Sequence, residues 1–456
     1  MTAPVPEPAP VGPRRYFNRD GIRAYAAAHA VQAIGPLRYG VDGRFWAYEG
    51  GVWVSGERQL HVRICKMLGD LYRPGYSETI RHVLRAEVDE LTMAPFMRMV
   101  NMSNGMVEWN AEPEPEEWPH HEMYVSTVQL PVRWNPDARC REFEAFLDEA
   151  VAIDDHARVW EMLGYLMMSG NPLQRIFLLV GGGGNGKGVL LNVIMHLLGQ
   201  GNVSNVPLAD FATDKFATAE LFGKLANVCG DIDATYIEST GRIKELAGED
   251  RLKGERKYGQ PFYFEFWGKN VFSANGIPAS SDSSSGWTRR FEVINFPNEP
   301  ATPDRGLKRR LVEPEQLEGI AYRAIMALRG LMVRGEFDRG ESAARVHAEF
   351  AQRNNKVLAW IEDVGYMDPS AWYPRGDLLK DFRWWDGREN PGARSMGSQT
   401  FYEKLRQVKG MREAIRQGVR GFAGFRLNAS VHLITADSET APDDEVQFQK
   451  QGQFDL

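Results

Sequence analysis

Five unbroken apolar residues, Ile176-Phe177-Leu178-Leu179-Val180, run directly into Gly181-Gly182-Gly183-Gly184-Asn185-Gly186-Lys187-Gly188. A short continuous apolar run bounded by glycines is the pattern of a strand buried on both faces. Beyond the glycines the period changes. Leu190, Leu191, Ile194, Leu197 and Leu198 recur at helical spacing between Val189 and Leu198, and Gly199 stands at the C-cap position. The pattern predicts a strand, a tight loop and a helix in immediate succession.

Shorter patterns flank this unit. Phe45 to Trp53 alternates around Gly50-Gly51 and predicts a hairpin. Val159, Met162, Leu163 and Leu166 predict a helix from about His156, whereas Val107 to Pro136 is loop-rich with many prolines. Leu225 to Cys229 is a short apolar strand that leads to Asp231 and Asp233. Phe262, Phe264 and Phe266 share one face of a half-buried strand, with Tyr258-Gly259-Gln260-Pro261 as the turn before it. Asn270 to Ser273 predicts a strand that ends at Ala274-Asn275-Gly276, and Phe291 to Phe296 another. Three helical runs and a strand pair follow between Ser342 and Ala436.

These patterns divide the chain into an unfolded tail (1–15), a mixed α+β segment (16–155), a segment with most of the chemistry (156–335), a third folded segment (342–436) and an acidic unfolded tail (437–456). No repeat of solenoid type is present in the sequence. With 456 residues and 43% hydrophobic content, the chain can supply cores for two or three domains. The three cysteines, Cys65, Cys140 and Cys229, form no CxxC pair, which excludes a zinc ribbon and a disulfide framework and suits a reducing interior. The sequence has neither a signal peptide nor a stretch long enough to span a membrane. The net charge of −7 argues against nucleic acid, yet between Arg375 and Arg426 basic residues outnumber acidic ones by roughly two to one.

Gly181 and Gly186-Lys187 have the GxxxxGK spacing of a Walker A phosphate loop, in which glycines let backbone N–H groups converge on phosphates. The nucleotide-binding residues expected are Gly181, Gly182, Gly183, Gly184, Asn185, Gly186, Lys187, Gly188 and Val189, with ATP as ligand and Lys187 on its β- and γ-phosphates. Gly188 stands where a Ser or Thr hydroxyl ordinarily coordinates Mg²⁺, so the metal falls to the acidic strand. Asp231 is the first choice to hold Mg²⁺ and Asp233 the second, the other being available to activate water. An Asp-x-Asp pair also suits two-metal nucleotidyl transfer, but its place on a strand downstream of the loop favours an NTPase. Asn275 is placed to hydrogen-bond the attacking water and the γ-phosphate. An arginine stabilises charge on the phosphoryl group in transfer, often from a neighbouring subunit; Arg290 is favoured here, with Arg289 the alternative. A hairpin carrying Lys253, Arg256 and Lys257 would press positive charge on one strand of nucleic acid.

In order and spacing these elements resemble the superfamily 3 helicases of phages, plasmids and DNA viruses, particularly the poxvirus-type primase-helicase lineage. The resemblance spans about Phe45 to Leu427 and rests on Gly184-Asn185-Gly186-Lys187, the acidic strand, the segment from Lys244-Glu245-Leu246-Ala247-Gly248-Glu249-Asp250 to Arg256-Lys257-Tyr258, the strand ending at Asn275, and the arginine. Gly50-Gly51-Val52-Trp53, Asn104-Gly105-Met106-Val107 and Leu163-Gly164-Tyr165 match the helper domain of phage members. The resemblance implies an α/β fold with an AAA+-type P-loop ATPase core, an N-terminal α+β helper domain and a C-terminal winged helix. The recognition helix of that winged helix would run from Ser398 to Val408 with Phe401, Leu405 and Val408 inward and Lys404 and Arg406 toward DNA, and Arg416 to Arg426 would form the wing.

It further implies a DNA helicase that hydrolyses ATP and translocates on single-stranded DNA as a homo-oligomeric ring, a hexamer, in phage, prophage or plasmid replication. Replication-origin DNA and a primase or replication-initiator protein are the partners implied, with no membrane, in the cytoplasm and nucleoid of a bacterial host. Two departures stand out: Gly188 replaces the hydroxyl residue, and Gly230-Asp231 replaces two adjacent acids. The chain has no evident room for a separate primase domain. A primase-helicase and a non-unwinding origin-binding or loader ATPase are the alternative readings.

Overall fold

The computed structural model describes residues 12–92, 96–230, 236–237, 245–248, 250–257, 259–275, 279–280, 289–300, 304–338, 340, 345, 356–389 and 395–428. The chain divides into two compact units, one of residues up to 279 with 284–348, the other of 280–283 with the residues from 349 onward.

The first unit opens with the 3-10 turn Gly12–Tyr16, which lies partly inside the segment expected to be an unfolded tail. Tyr16 is buried and Arg15 lies over its ring, which anchors the turn. Then follow α1 (Ala24–Gln32), β1 (Leu37–Gly40), β2 (Phe45–Glu49), β3 (Val52–Ser55), α2 (Glu57–Leu68), α3 (Pro74–Glu87) and β4 (Glu90–Leu91). The strands form a sheet in the order β3–β2–β1–β4, covered by a core that includes Phe45, Leu60, Ile64, Ile80 and Leu84. Glu49 pairs with Val52 across Gly50 (φ 59°) and Gly51 (φ 93°), the two-residue turn that the alternation predicts.

A second core begins at β5 (Met99–Met102), β6 (Gly105–Glu108) and β7 (Glu116–Trp118), continues through α4 (Arg141–Ala150) and α5 (His156–Met167), and ends beyond residue 330. Val128, Leu130 and Val132 point into it together with Phe143, Leu163, Phe177 and Leu190. The change of core therefore lies between Val88 and Val100, upstream of the boundary expected at residue 155.

At the centre of this core are β8 (Ile176–Val180), α6 (Lys187–Leu198), β9 (Val203–Ser204), β10 (Ala226–Cys229), β13 (Lys269–Ala274) and β14 (Phe291–Asn295), with the hairpin β11 (Arg251–Gly254) and β12 (Phe262–Glu265) inserted before β13. The five-stranded sheet is parallel throughout, in the order β9–β10–β13–β8–β14. β8, the strand read from its unbroken apolar run, has every residue buried between two neighbours. All the strands leave the sheet at the same edge, where ligands of open α/β folds bind.

Helix α7 (Pro314–Arg334) packs along α5. Two glycines set the approach. A Cβ on Gly164 of α5 would run into the carbonyl of Ala324, and one on Gly319 of α7 would lie 2.5 Å from the backbone of Arg139.

The second unit comprises α8 (Lys356–Val364), β15 (Gly365–Pro374), α9 (Arg375–Glu389), α10 (Ser398–Gln407), β16 (Arg412–Arg416) and β17 (Val419–Leu427). The three helices and the terminal strand pair follow the expected pattern, whereas β15 is an addition that completes an antiparallel sheet β15–β17–β16. Its register shifts between Asp368 and Trp372 and most of its residues are not buried, so no alternation marks it. Phe401, Leu405 and Val408 are inward, as their spacing predicts, beside Trp360, Phe382 and Phe425. Gln417 (φ 51°) and Gly418 (φ 79°) form the turn between β16 and β17. No helix among the described residues is long and apolar enough to cross a membrane.

Candidate functional site

The glycine loop leaves β8 between the ends of two neighbours. Val180 pairs with Ala274 of β13 on one side and with Asn295 of β14 on the other. The Gly181 N–H donates to the Ala274 carbonyl at 3.3 Å, and the Phe296 N–H donates to the Val180 carbonyl at 2.7 Å. A side chain at Gly181 would collide with the Asn185 amide and the Phe296 carbonyl, which are themselves joined by an Asn185 Nδ2 hydrogen bond of 2.7 Å. Gly186, at φ 97°, is the N-cap of α6 and packs against the Phe146 ring. The loop is thus a short arch whose last residue starts a helix, which sets the N-terminus of α6 at its mouth.

Lys187 is buried, and its Nζ donates to the carbonyls of Gly181 at 2.7 Å and Gly182 at 2.6 Å and to Asn185 Oδ1 at 3.0 Å. Among the described residues, these three oxygens hold the ammonium across the arch. An anion placed there would form a stronger, charge-assisted bond with it. Asn275 follows β13 directly, beside Gly181, and is exposed. Cys229 pairs with Phe272, which brings the end of β10 to the same edge. Asp231 and Asp233, which follow it, lie outside the described residues, as do Lys244 before the hairpin and Tyr258 between its two strands.

Gly188 is different from Gly181. A Cβ there would meet only Lys308 Nζ, at 3.8 Å. Lys308 and Glu299, whose carboxylate lies 3.3 Å from a Cβ built on Gly184, carry no local sequence pattern that marks them as loop neighbours.

Arg289 and Arg290 sit at the other edge of the sheet. Phe291 pairs with Ile176, the first residue of β8, and Arg175 holds the strand start through a bond to the Arg289 carbonyl and an ion pair with buried Glu292 at 3.3 Å. Along β8 about 16 Å separates these arginines from the glycine loop. The loop, Lys187 and Asn275 come together in one chain, and the arginines do not join them.

On the hairpin, Lys253 is exposed and pairs with Glu255 at 2.5 Å, a carboxylate that raises the lysine's affinity for its proton. Arg256 pairs at 3.2 Å with Asp42 and lies over the rings of Phe262 and Phe222 at 4.8 and 5.6 Å. Lys257 is exposed. Phe262, Phe264 and Phe266 are buried on one face, as their alternation predicts. On α10, Lys404 is half-buried, and exposed Arg406 pairs with Glu413 at 3.0 Å. Outside the expected site, buried Lys269 of β13 donates to the Met168 carbonyl and lies 5.0 Å from the Tyr165 ring centre, and burial lowers its pKa well below the ordinary lysine value.

Comparison with known proteins gives two partial family matches. Residues 38–152 match the family described as D5 N terminal like, and residues 179–290 match a family of unknown function, DUF5906. No curated protein matches the chain. Among solved structures, the A form apo structure of the NrS-1 C terminal region is similar at 11% identity, with 88% of this chain and 98% of that one covered and a TM-score of 0.48. The apo structure of the NrS-1 C terminal region (305-718) is similar at 12% identity, with 88% and 98% covered and a TM-score of 0.49. The chain is thus similar to D5 N terminal like proteins upstream of the central sheet, and the glycine loop falls within its similarity to a family of unknown function.

Proposed function

We propose that this protein is an ATP-dependent DNA helicase of phage, prophage or plasmid replication that acts as a homo-oligomeric ring, a hexamer, on single-stranded DNA. The observation that carries the reading is the meeting of the glycine loop, Lys187 and Asn275 at the exit edge of a parallel sheet. Convergent backbone N–H groups, a helix N-terminus and an ammonium suit a triphosphate. ATP supplies the phosphoryl transfer whose energy drives movement. Mg²⁺ is assigned to Asp231 beyond the end of β10, with Asp233 as the alternative, since Gly188 offers no hydroxyl.

In this reading Lys187 exchanges its carbonyl partners for phosphate oxygens, and Asn275 orients water beside them. The carboxylate of the Asp231/Asp233 pair not engaged with Mg²⁺ takes the proton from that water. Arg290, or Arg289, serves the site of the adjacent subunit, which its place at the far edge of the sheet supports. The hairpin with Lys253 and Lys257 contacts the DNA strand. The second unit, with the order helix, strand, two helices and a strand pair, is read as a winged helix that offers Lys404 and Arg406 to origin DNA. Purified protein should hydrolyse ATP faster with single-stranded DNA and displace a paired strand, and Lys187→Ala should abolish both. An ATPase without strand displacement would instead indicate an origin-binding or loader protein.

A further inference from the structure

We infer that Lys308 is a second lysine of the nucleotide site, placed to compensate for the hydroxyl that Gly188 lacks; this rests on the nucleotide reading of the glycine loop. Lys308 lies in the short turn of helix Leu307–Arg310, which is fixed on several sides. Leu311 is fully buried and Leu307 packs against the main core. Arg310 pairs with Glu142 of α4 and with Asp304, each at 2.6 Å. The Lys308 carbonyl accepts a bond of 3.3 Å from Asn192 of α6.

Asn192 is four residues beyond Gly188, one turn along the same face of α6. The Lys308 side chain spans that turn in the direction of the loop, and its Nζ comes within 3.8 Å of the Cβ position at Gly188. That position is where a Ser or Thr of a phosphate loop would carry its hydroxyl. A methyl group at residue 188 would stand in ordinary contact with the ammonium.

The placement is mildly unfavourable without an anion, since Lys308 is exposed and water screens most of the repulsion. The N-terminus of a helix carries partial positive charge, and a cation beside it is disfavoured. Among the described residues Lys308 has no hydrogen bond or ion pair through its ammonium to offset this. A polyphosphate bound by the loop supplies the missing negative charge. Lys308 then neutralises phosphate charge from the Gly188 side, where other loops rely on a metal held by a hydroxyl. Nucleotide binding should consequently depend less on divalent cation than in a loop with Ser or Thr.

The test is calorimetric binding of ADP and ATP to the full chain, with Mg²⁺ and with EDTA, for the natural protein and for Lys308→Met, Lys308→Arg and Gly188→Thr with Lys308→Met. Lys308→Met should weaken binding about tenfold in EDTA and less in Mg²⁺, as expected for loss of one charge-assisted contact. Lys308→Arg should restore most of it, and the double variant should recover binding only with Mg²⁺. Equal affinity of natural protein and Lys308→Met in both conditions overturns the role of Lys308 and leaves the nucleotide reading standing. Failure of the natural protein to bind either nucleotide overturns both. Lys308 is exposed, so an unchanged melting temperature should accompany Lys308→Met.

Discussion

The backbone N–H of Ile176 donates to the carbonyl of Arg290 at 2.7 Å, which fixes Arg290 at the entry end of the strand whose exit end forms the glycine loop. On the proposed reading, an arginine so placed would serve the phosphate site of an adjacent subunit. Lys187→Ala and Arg290→Ala should each lose at least about 100-fold in ATP hydrolysis as homo-oligomers. Mixed in equal amounts, random assembly should restore about a quarter of the sites, since each needs one intact partner of either kind. Absence of recovery in mixed, correctly sized particles would rule out action across subunits.

The two ends of the loop should respond differently to substitution. Gly181→Ala displaces the Asn185 amide from its bond to Phe296 and should cost about 1–3 kcal/mol of stability along with nucleotide binding. Gly188→Ser meets only the end of a flexible lysine and should stay within about 0.5 kcal/mol of the natural protein. Thermal melts and nucleotide titration of the two variants check the contrast.

Arg256 and Lys257 are neighbours with different surroundings. Arg256→Ala leaves Asp42, whose side chain is 1% exposed, without its cation, and should lower stability by about 1–3 kcal/mol. Lys257→Ala should lower the slope of log affinity for single-stranded DNA against log salt by about 0.7. A Lys257 variant with natural salt dependence would remove this residue from the DNA interface.

Lys269 makes a pH test of the core. Its folded pKa is depressed by burial, so between that value and the ordinary lysine value the unfolded chain binds more protons than the folded one. Stability of the natural protein relative to Lys269→Met should therefore rise as pH increases from 7 to 10, by chemical denaturation at each pH. A flat difference would mean that the lysine stays protonated in the folded state.

What the sequence made legible was local. The strand, glycine loop and helix around Lys187 are contiguous, and the alternation of Phe262, Phe264 and Phe266 needs no partner to be read. β15 escaped because a register shift and an exposed surface erase its period. Arg256 reads in sequence as part of a basic tip, but its surroundings are set by Asp42 and two phenylalanines brought in by the fold. Lys308 is invisible for the same reason: its relation to Gly188 exists only across the packing of two helices. The core shared by residues 99–151 and the central sheet depends on equally distant contacts, which a loop-rich composition conceals.

The glycine seats of α7 have a mechanical consequence. Where side chains mesh, a helix can shift slightly as rotamers adjust, but Gly164 and Gly319 bring backbone against backbone. Over its length of about 30 Å, α7 therefore has little slack to absorb displacement. Displacing α7 would have to carry the backbones at Gly164 and Arg139 with it, so the helix and the segments it touches should move as one block.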